Sequence, residues 1–145
     1  MKARKHARIL FVCGGNTCRS PIAVALARNM FGDTIHAESA GVDAYGEVAS
    51  REAIHVMDDQ FSIDITDHRP RDVEDVSMSD FDYVVAMEPY IADDLTHRFG
   101  LPAARIIIWE VDDPVGGGAS EYRRCVDDIT RGLKTIRREF SIEPR

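Results

Sequence analysis

A cysteine and an arginine that frame five residues, Cys13 and Arg19, stand directly between a predicted strand and a predicted helix. The strand is the mostly apolar run 7–12, and the helix is the alanine-rich stretch 20–31. Ser20 suits the N-cap of that helix, and the proline after it suits the first helical position. This strand, loop and helix constrain the fold more than any other segment, because such a loop has to gather its backbone amides around one point.

The residues of this loop suit the binding of a dianion. Gly14 and Gly15 relieve the steric limits on a tight turn, and Asn16 tolerates left-handed geometry better than most residues. The amides of the turn and the positive end of the following helix can then converge on an anion. Arg19 adds a planar fork of donors that can hold two oxygens of a phosphoryl group. The predicted phosphate-binding loop comprises Gly14, Gly15, Asn16, Thr17, Cys18 and Ser20.

Cys13 stands at the mouth of this positive field. The field favours the thiolate form, which is the nucleophilic form of cysteine, and Ser20 can donate a hydrogen bond to it. The other interpretation, a structural cysteine in an ordinary turn, is disfavoured because the pattern C-x-G-N-x-C-R-S-P fixes seven identities in the required context. The loop lacks the glycine and lysine spacing of ATP-type and dinucleotide-binding loops.

The rest of the chain alternates apolar strands with helices. We predict strands at 34–40, 81–87 and 105–109, and helices at 51–60, 88–98 and 120–140, the last capped by Ser120. This alternation predicts an α/β fold: a four-stranded parallel sheet with helices on both faces, and the phosphate loop between the first strand and the first helix. The length of 145 residues predicts one domain over 1–145, with a basic N-terminal tail at 1–7 and a C-terminal tail at 141–145.

The composition of the chain disfavours several classes of binding partner. The net charge of -7 disfavours nucleic acid, and the apolar runs are far shorter than the roughly 20 residues that a membrane span needs. The three cysteines show no metal-ligand spacing, so we expect no metal and no cofactor. An odd number of cysteines fits a reducing compartment. We therefore expect a cytoplasmic protein that binds neither nucleic acid nor membrane, and we leave its oligomeric state open.

At the phosphate loop the sequence closely resembles the low-molecular-weight protein tyrosine phosphatase family, which also contains bacterial protein arginine phosphatases and thioredoxin-coupled arsenate reductases. The segment Ser39-Ala40-Gly41 resembles the family's Ser-Ala-Gly, whose serine is a partner of the loop asparagine. His68 and Arg71 resemble its His-x-x-Arg segment, and we expect His68 to brace a loop. The resemblance covers nearly the whole chain and implies the family's four-stranded parallel sheet.

Asp113-Pro114 resembles the family's Asp-Pro, whose aspartate is the general acid. The position supports that role, because Asp113 follows the fourth predicted strand and so lies at the same edge of the sheet as Cys13. A leaving group expelled by a thiolate needs a proton, and the same carboxylate can then activate water without a metal. Asp112 is the adjacent alternative, ranked second because the resemblance puts the acid immediately before proline.

We therefore predict a metal-independent phosphatase that acts on a phosphorylated protein through a phosphocysteine at Cys13. Phosphotyrosine and phosphoarginine are both open as substrates. Thr17 stands where the tyrosine phosphatases usually carry isoleucine, and it resembles the arginine phosphatases. Tyr45 is a candidate wall of the pocket, and Val115 is a second one, at a position where the family usually has an aromatic residue.

Two other functions are weighed against this one. An arsenate reductase of the family needs a further cysteine pair after the third strand, and this chain has no cysteine between Cys18 and Cys125. A module that only binds phosphoproteins needs neither a nucleophile nor an acid. Within the family the second loop cysteine can trap an oxidised nucleophile, so Cys18 has either that role or a purely structural one.

Overall fold

Strands and helices alternate along residues 7–139, the part of the chain that the computed structural model describes. The strands are β1 (Ala7–Cys13), β2 (Ile35–Gly41), β3 (Tyr83–Ala86) and β4 (Ile106–Ile108), and the helices are α1 (Arg19–Phe31), α2 (Arg51–Phe61), α3 (Pro89–Phe99) and α4 (Ala119–Glu139). The strands form one parallel sheet with the order β2-β1-β3-β4. This is the predicted α/β fold with the phosphate loop between β1 and α1.

Strand β1 is the centre of the molecule. It pairs with β2 from Ala7↔Ile35 to Cys13↔Gly41, and with β3 from Ile9↔Tyr83 to Val12↔Ala86. The side chains from Ile9 to Val12 are fully buried, since helices cover both faces of a parallel sheet and its central strand is therefore a continuous apolar run. The end of β1 is thus a rigid base for the loop that follows.

The connections between strands reverse direction at β1 and β3. The chain crosses from β1 to β2 through α1 and from β3 to β4 through α3, in opposite directions across the sheet. Because such crossovers are right-handed, α1 and α3 lie on opposite faces. The last helix, α4, packs against α1 and α2. In folds of this kind such a reversal opens a crevice at the carboxyl ends of the strands where it occurs, here β1 and β3, and ligands bind in that crevice.

Both predicted serine N-caps are wrong. Helix α1 has Cys18 at its N-cap and begins at Arg19, so Ser20 lies inside the helix, where its hydroxyl contacts Cys13 Sγ at 2.9 Å. Helix α4 begins one residue before Ser120. There the Glu121 carboxylate accepts a hydrogen bond from Gly118 N–H at 2.8 Å, as the glutamate of a capping box does.

The ends of the chain, residues 1–6 and 140–145, lie outside the described residues. They include most of the predicted N-terminal tail, the predicted C-terminal tail and the last residue of the predicted final helix. Ala7, which both ended the predicted tail and began the predicted strand, is part of β1. Among the described helices, none combines the length and the apolar character that crossing a membrane takes.

Candidate active site

Five backbone carbonyls of the phosphate loop, residues 13–19, accept hydrogen bonds from residues outside the loop. Four of them accept backbone hydrogen bonds of 2.9–3.2 Å from the segment 42–50, namely the carbonyls of Cys13, Gly14, Gly15 and Thr17. The fifth, that of Asn16, accepts a hydrogen bond of 2.7 Å from His68 Nε2. With the carbonyls engaged on one side, the amides of the same peptide units turn to the other.

Four backbone amides of this loop have no hydrogen-bond acceptor among the described residues. Those of Gly14, Gly15, Thr17 and Cys18 donate to no protein acceptor within residues 7–139. Helix α1 begins directly behind them at Arg19, which adds the positive end of a helix to the same point. Amides without a protein acceptor on a largely buried loop need an acceptor from a ligand, and the oxygens of a tetrahedral oxyanion supply several.

Cys13 Sγ lies at the start of the same loop, and the residue is only 2% exposed. It accepts a hydrogen bond from Asn16 N–H at 3.2 Å and lies 2.9 Å from Ser20 Oγ. Because Ser20 Oγ itself accepts a hydrogen bond from Asn16 Nδ2 at 2.8 Å, its own proton is free for the sulfur. Two donors therefore face the sulfur atom and fix its position in the loop.

Asn16 organises the loop from a fully buried position with a φ of 60°. Its Oδ1 accepts the backbone N–H of Arg71 at 2.9 Å, which fixes the orientation of the side-chain amide. Its Nδ2 then donates to Ser20 Oγ and, at 3.0 Å, to Ser39 Oγ. Ser39 thus contacts the loop asparagine, which is where the family resemblance puts it.

The glycine after Ser39 and Ala40 is required by the packing of the loop. A Cβ at Gly41 would lie 2.4 Å from the carbonyl oxygen of Gly14, a backbone atom that cannot move without the loop. Any larger residue at position 41 would push the phosphate loop away from β2. The Ser-Ala-Gly segment therefore supports the loop with one hydrogen bond and one close backbone contact.

Arg19 is almost fully buried beside the loop. Its Nη1 donates to Glu88 Oε2 at 2.6 Å and to the carbonyl of Val111 at 2.7 Å, and its Nη2 lies 3.8 Å from Asp113 Oδ2. Burial alone lowers the pKa of Arg19, but the hydrogen bond to Glu88 and the charges of Cys13 and Asp113 outweigh it, so the pKa is raised. The guanidinium is held as a fixed cation at the loop.

Asp113 lies at the same edge of the sheet, as its position after β4 predicts. The backbone N–H of Val111 donates to the carbonyl of Met87 at 2.9 Å, which keeps the segment after β4 beside the segment after β3. The Asp113 side chain is 51% exposed, and its Oδ1 accepts the backbone N–H of Val115 at 3.1 Å. Asp112, by comparison, is exposed and makes no hydrogen bond or ion pair with any residue that the structure describes.

The predicted pocket-wall residues differ in how closely they approach the loop. The ring of Tyr45 covers Gly15 so closely that a Cβ there would lie 2.1 Å from Tyr45 Cε1. Thr17 is buried, and its hydroxyl donates to the Tyr45 hydroxyl at 3.4 Å. Val115 is 53% exposed and has only its backbone tied to Asp113. Tyr45 and Thr17 therefore form one side of the loop's mouth.

Cys18 faces away from solvent and contacts two hydroxyl groups. Its Sγ donates to Ser50 Oγ and lies 3.3 Å from the Tyr122 hydroxyl. Burial and the contact with Cys18 raise the pKa of Tyr122. Cys125 is also buried, in α4, and burial raises the pKa of its thiol to about 12. Neither thiol is arranged as a strong nucleophile.

His68 braces the loop through a ring N–H. Its Nε2 has to be the donor, because its partner is the carbonyl oxygen of Asn16. Burial lowers the pKa of His68, against the effect of the hydrogen bond to Asn16, and the charges of Arg69 and Arg71 lower it further. The neutral ring with its proton on Nε2 is therefore sufficient to hold the loop.

Two residues at the site are not identified by the sequence. Glu88, for which the sequence predicts only the start of a helix, pairs with Arg19 from a position 69 residues away. Tyr90 lies in the first turn of α3, and its hydroxyl approaches the loop near Gly14. Both follow β3, so the strand order, in which β3 neighbours β1, is the information that would have identified them.

These features agree with a family match over most of the chain. A family model described as low molecular weight phosphotyrosine protein phosphatase matches residues 8–143. The chain belongs to this family of hydrolases.

Three proteins similar to this chain are named for three different activities. An arsenate reductase of Bacillus cereus is 34% identical over 127 residues, which are 87% of this chain and 90% of that protein. A low molecular weight protein tyrosine phosphatase from T. tengcongensis superposes with a TM-score of 0.80 at 30% identity, over 92% of this chain and 99% of that one. An arginine phosphatase from Geobacillus stearothermophilus superposes with a TM-score of 0.78 at 32% identity, over 92% and 94% of the two chains.

Proposed function

We propose that this protein hydrolyses phosphorylated protein side chains through a phosphocysteine at Cys13. The observation that carries the proposal is the sulfur itself. It contacts two hydrogen-bond donors in a loop whose other amides donate to no acceptor among residues 7–139, and a buried arginine lies at the end of that loop. Such a sulfur is suited to attack a bound phosphoryl group.

The reaction has two steps. In the first, Cys13 Sγ forms a bond to phosphorus while Arg19 and the loop amides hold the phosphoryl oxygens, and the bond to the leaving group breaks. Asp113 gives its proton to the leaving group. In the second, the Asp113 carboxylate takes a proton from water as its oxygen bonds to phosphorus, and the bond between phosphorus and Cys13 Sγ breaks, which releases inorganic phosphate and restores the thiolate. No atom changes its oxidation state in either step, so the cycle needs no redox partner. The positive charge that stabilises the phosphoryl oxygens comes from Arg19 and the loop amides.

Phosphoarginine is the substrate that we favour, with phosphotyrosine as the close alternative. The hydroxyl of Thr17 offers a polar partner at the mouth, where an isoleucine would offer none. Val115 is exposed and aliphatic, so it provides no aromatic face for a phenol ring. The similarity to the Geobacillus arginine phosphatase points the same way.

Arsenate reduction is the second candidate, because curated relatives from Bacillus carry that name. A loop that binds phosphate also accepts arsenate, but reduction needs further thiols to receive oxidising equivalents from the first one. Here residues 86–89 contain no cysteine, and Cys125 is buried with a raised pKa. A hydrolytic cycle that uses one thiol fits these residues better. A free thiolate also needs a reducing compartment, so the proposal includes a cytoplasmic location.

The test is turnover of p-nitrophenyl phosphate with EDTA present. We expect the wild type to be active and Cys13→Ser to be inactive while still binding inorganic phosphate, because the serine keeps the loop but is a poor nucleophile. Cys125→Ser is the matched control and should stay active. Activity in Cys13→Ser, or a need for a divalent ion, would contradict the mechanism. Arsenate-dependent oxidation of reduced thioredoxin by the wild type would favour the second candidate.

A further inference from the structure

Two tyrosines from outside the phosphate loop occupy the space beside its two glycines. A Cβ at Gly15 would collide with the ring of Tyr45, which reaches over the loop from the segment after β2. A Cβ at Gly14 would lie 3.4 Å from the hydroxyl oxygen of Tyr90, which comes from α3. The two phenols are 56% and 53% exposed. Tyrosine side chains therefore form both sides of the rim above the glycines.

The hydroxyl of Tyr90 lies near Arg19, the residue that contacts the proposed acid Asp113. The Cβ position of Gly14, 3.4 Å from this hydroxyl, is also 4.0 Å from Arg19 Nη2. The same Arg19 atom lies 3.8 Å from Asp113 Oδ2. The Tyr90 hydroxyl and the Asp113 carboxylate are thus both neighbours of the Arg19 guanidinium.

The two tyrosine hydroxyls differ in their hydrogen bonding. That of Tyr45 accepts a hydrogen bond from Thr17. That of Tyr90 makes no hydrogen bond with any residue between 7 and 139. A phenol oxygen is both a donor and an acceptor, so Tyr90 keeps its full capacity for a substrate group at this point.

We propose that Tyr90 is a specificity-determining residue whose hydroxyl accepts a hydrogen bond from the guanidine of a phosphoarginine substrate. This rests on the proposed function and identifies a group that selects the substrate. Phosphoarginine brings N–H groups on the nitrogens next to the one bonded to phosphorus, and Asp113 can serve only part of them. Phosphotyrosine has only ring C–H groups at the corresponding positions. An unpaired N–H at a partly buried mouth is costly, so the extra acceptor favours the guanidine.

The aromatic rings of Tyr45 and Tyr90 contribute to the binding of both substrates. A guanidinium plane and a phenol ring can each stack against the faces of Tyr45 and Tyr90. Loss of the Tyr90 ring should therefore weaken both substrates, whereas loss of its hydroxyl alone should weaken phosphoarginine. This difference separates the specific role from general packing at the rim.

The experiment compares Tyr90→Phe, Tyr90→Ala and the matched control Tyr83→Phe, which removes a hydroxyl at the opposite end of β3. Values of kcat/KM are measured on two peptides that differ only in phosphoarginine or phosphotyrosine. We expect Tyr90→Phe to lose roughly three- to tenfold on phosphoarginine and less than about twofold on phosphotyrosine. Tyr90→Ala should lose on both peptides, and Tyr83→Phe on neither.

The outcomes separate this inference from the proposed function. An equal effect of Tyr90→Phe on the two peptides, or no effect on either, overturns the role of the hydroxyl while hydrolysis itself stands. A wild type that hydrolyses only the phosphotyrosine peptide overturns it as well. A wild type that also fails to hydrolyse p-nitrophenyl phosphate overturns the proposed function, and the role of Tyr90 falls with it.

Discussion

Replacement of Asn16 by alanine should be among the most destabilising single changes in this protein. The side chain is fully buried and makes hydrogen bonds with Ser20, Ser39 and the backbone N–H of Arg71. Each of these partners would lose a hydrogen bond in a place that water reaches poorly, at about 1–2 kcal/mol per group. We therefore expect Asn16→Ala to lower the free energy of unfolding by about 3–6 kcal/mol, a large part of the stability of an ordinary domain.

The backbone of Asn16 adds a contribution that a second variant can isolate. Its φ of 60° lies in the left-handed region, which costs alanine roughly 1–2 kcal/mol but costs glycine almost nothing. Asn16→Gly should therefore be more stable than Asn16→Ala by about 1 kcal/mol, although both lose the same hydrogen bonds. Both variants should also lose activity, because they remove the amide Nδ2 that orients Ser20 Oγ beside Cys13 Sγ.

The measurement is urea unfolding followed by the fluorescence of Trp109, the single tryptophan, whose ring lies 5.8 Å from that of Phe11 in the core. Ser39→Ala serves as the matched control, since it removes one of the same hydrogen bonds and should cost about 1 kcal/mol. An Asn16→Ala protein within about 1 kcal/mol of the wild type would refute the reasoning, because the buried network would then contribute no more than a surface contact.

Three further outcomes follow from the site. Asp113→Asn should lower kcat by roughly 10²–10⁴-fold on a substrate with a poor leaving group and less on p-nitrophenyl phosphate, while Asp112→Asn changes little; the reverse order would reassign the acid. Thr17→Ile should shift the ratio of kcat/KM values toward phosphotyrosine, and an unmoved ratio in parallel peptide assays would exclude a role for the threonine hydroxyl. The pKa of His68 is lower in the folded than in the unfolded protein, so its contribution to stability is complete above the unfolded pKa and is lost as pH falls through the folded one. Urea midpoints measured across that acidic range should therefore fall less steeply in His68→Gln, and equal slopes would contradict the assignment.

The sequence predicts the order of strands and helices because the elements are local patterns. The apolar run at 7–12 and the β-branched runs at 83–86 and 106–108 can be recognised without any knowledge of their neighbours. Helix ends are less local. Ser20 has the right side chain for an N-cap, but its hydroxyl is used by Cys13 and Asn16, so the helix begins earlier.

The site shows the same difference between local and long-range information. Cys13 and Arg19 are identified by their spacing within one loop, whereas Asp113 needs both the resemblance and the expectation that strand ends share an edge. Glu88 and Tyr90 depend on the fact that β3, rather than β4, lies beside β1. Composition and periodicity do not contain that fact, so these two residues appear only in the folded structure.

We expect anion binding and substrate choice at the phosphate loop to depend on different parts of the chain. We expect anion binding to depend on Arg19 and on backbone amides, whose direction is set by carbonyl contacts with the segment 42–50 and His68, so changes of the Tyr45 or Tyr90 side chain should leave it intact. Under the proposed function we expect substrate choice to depend on Thr17 in the loop and on two side chains from other segments, Tyr45 after β2 and Tyr90 after β3. A rim residue can therefore change without loss of the oxyanion site. Proteins named for tyrosine and for arginine phosphatase activity share this fold, and under the proposed function we expect the rim to select the substrate of this protein.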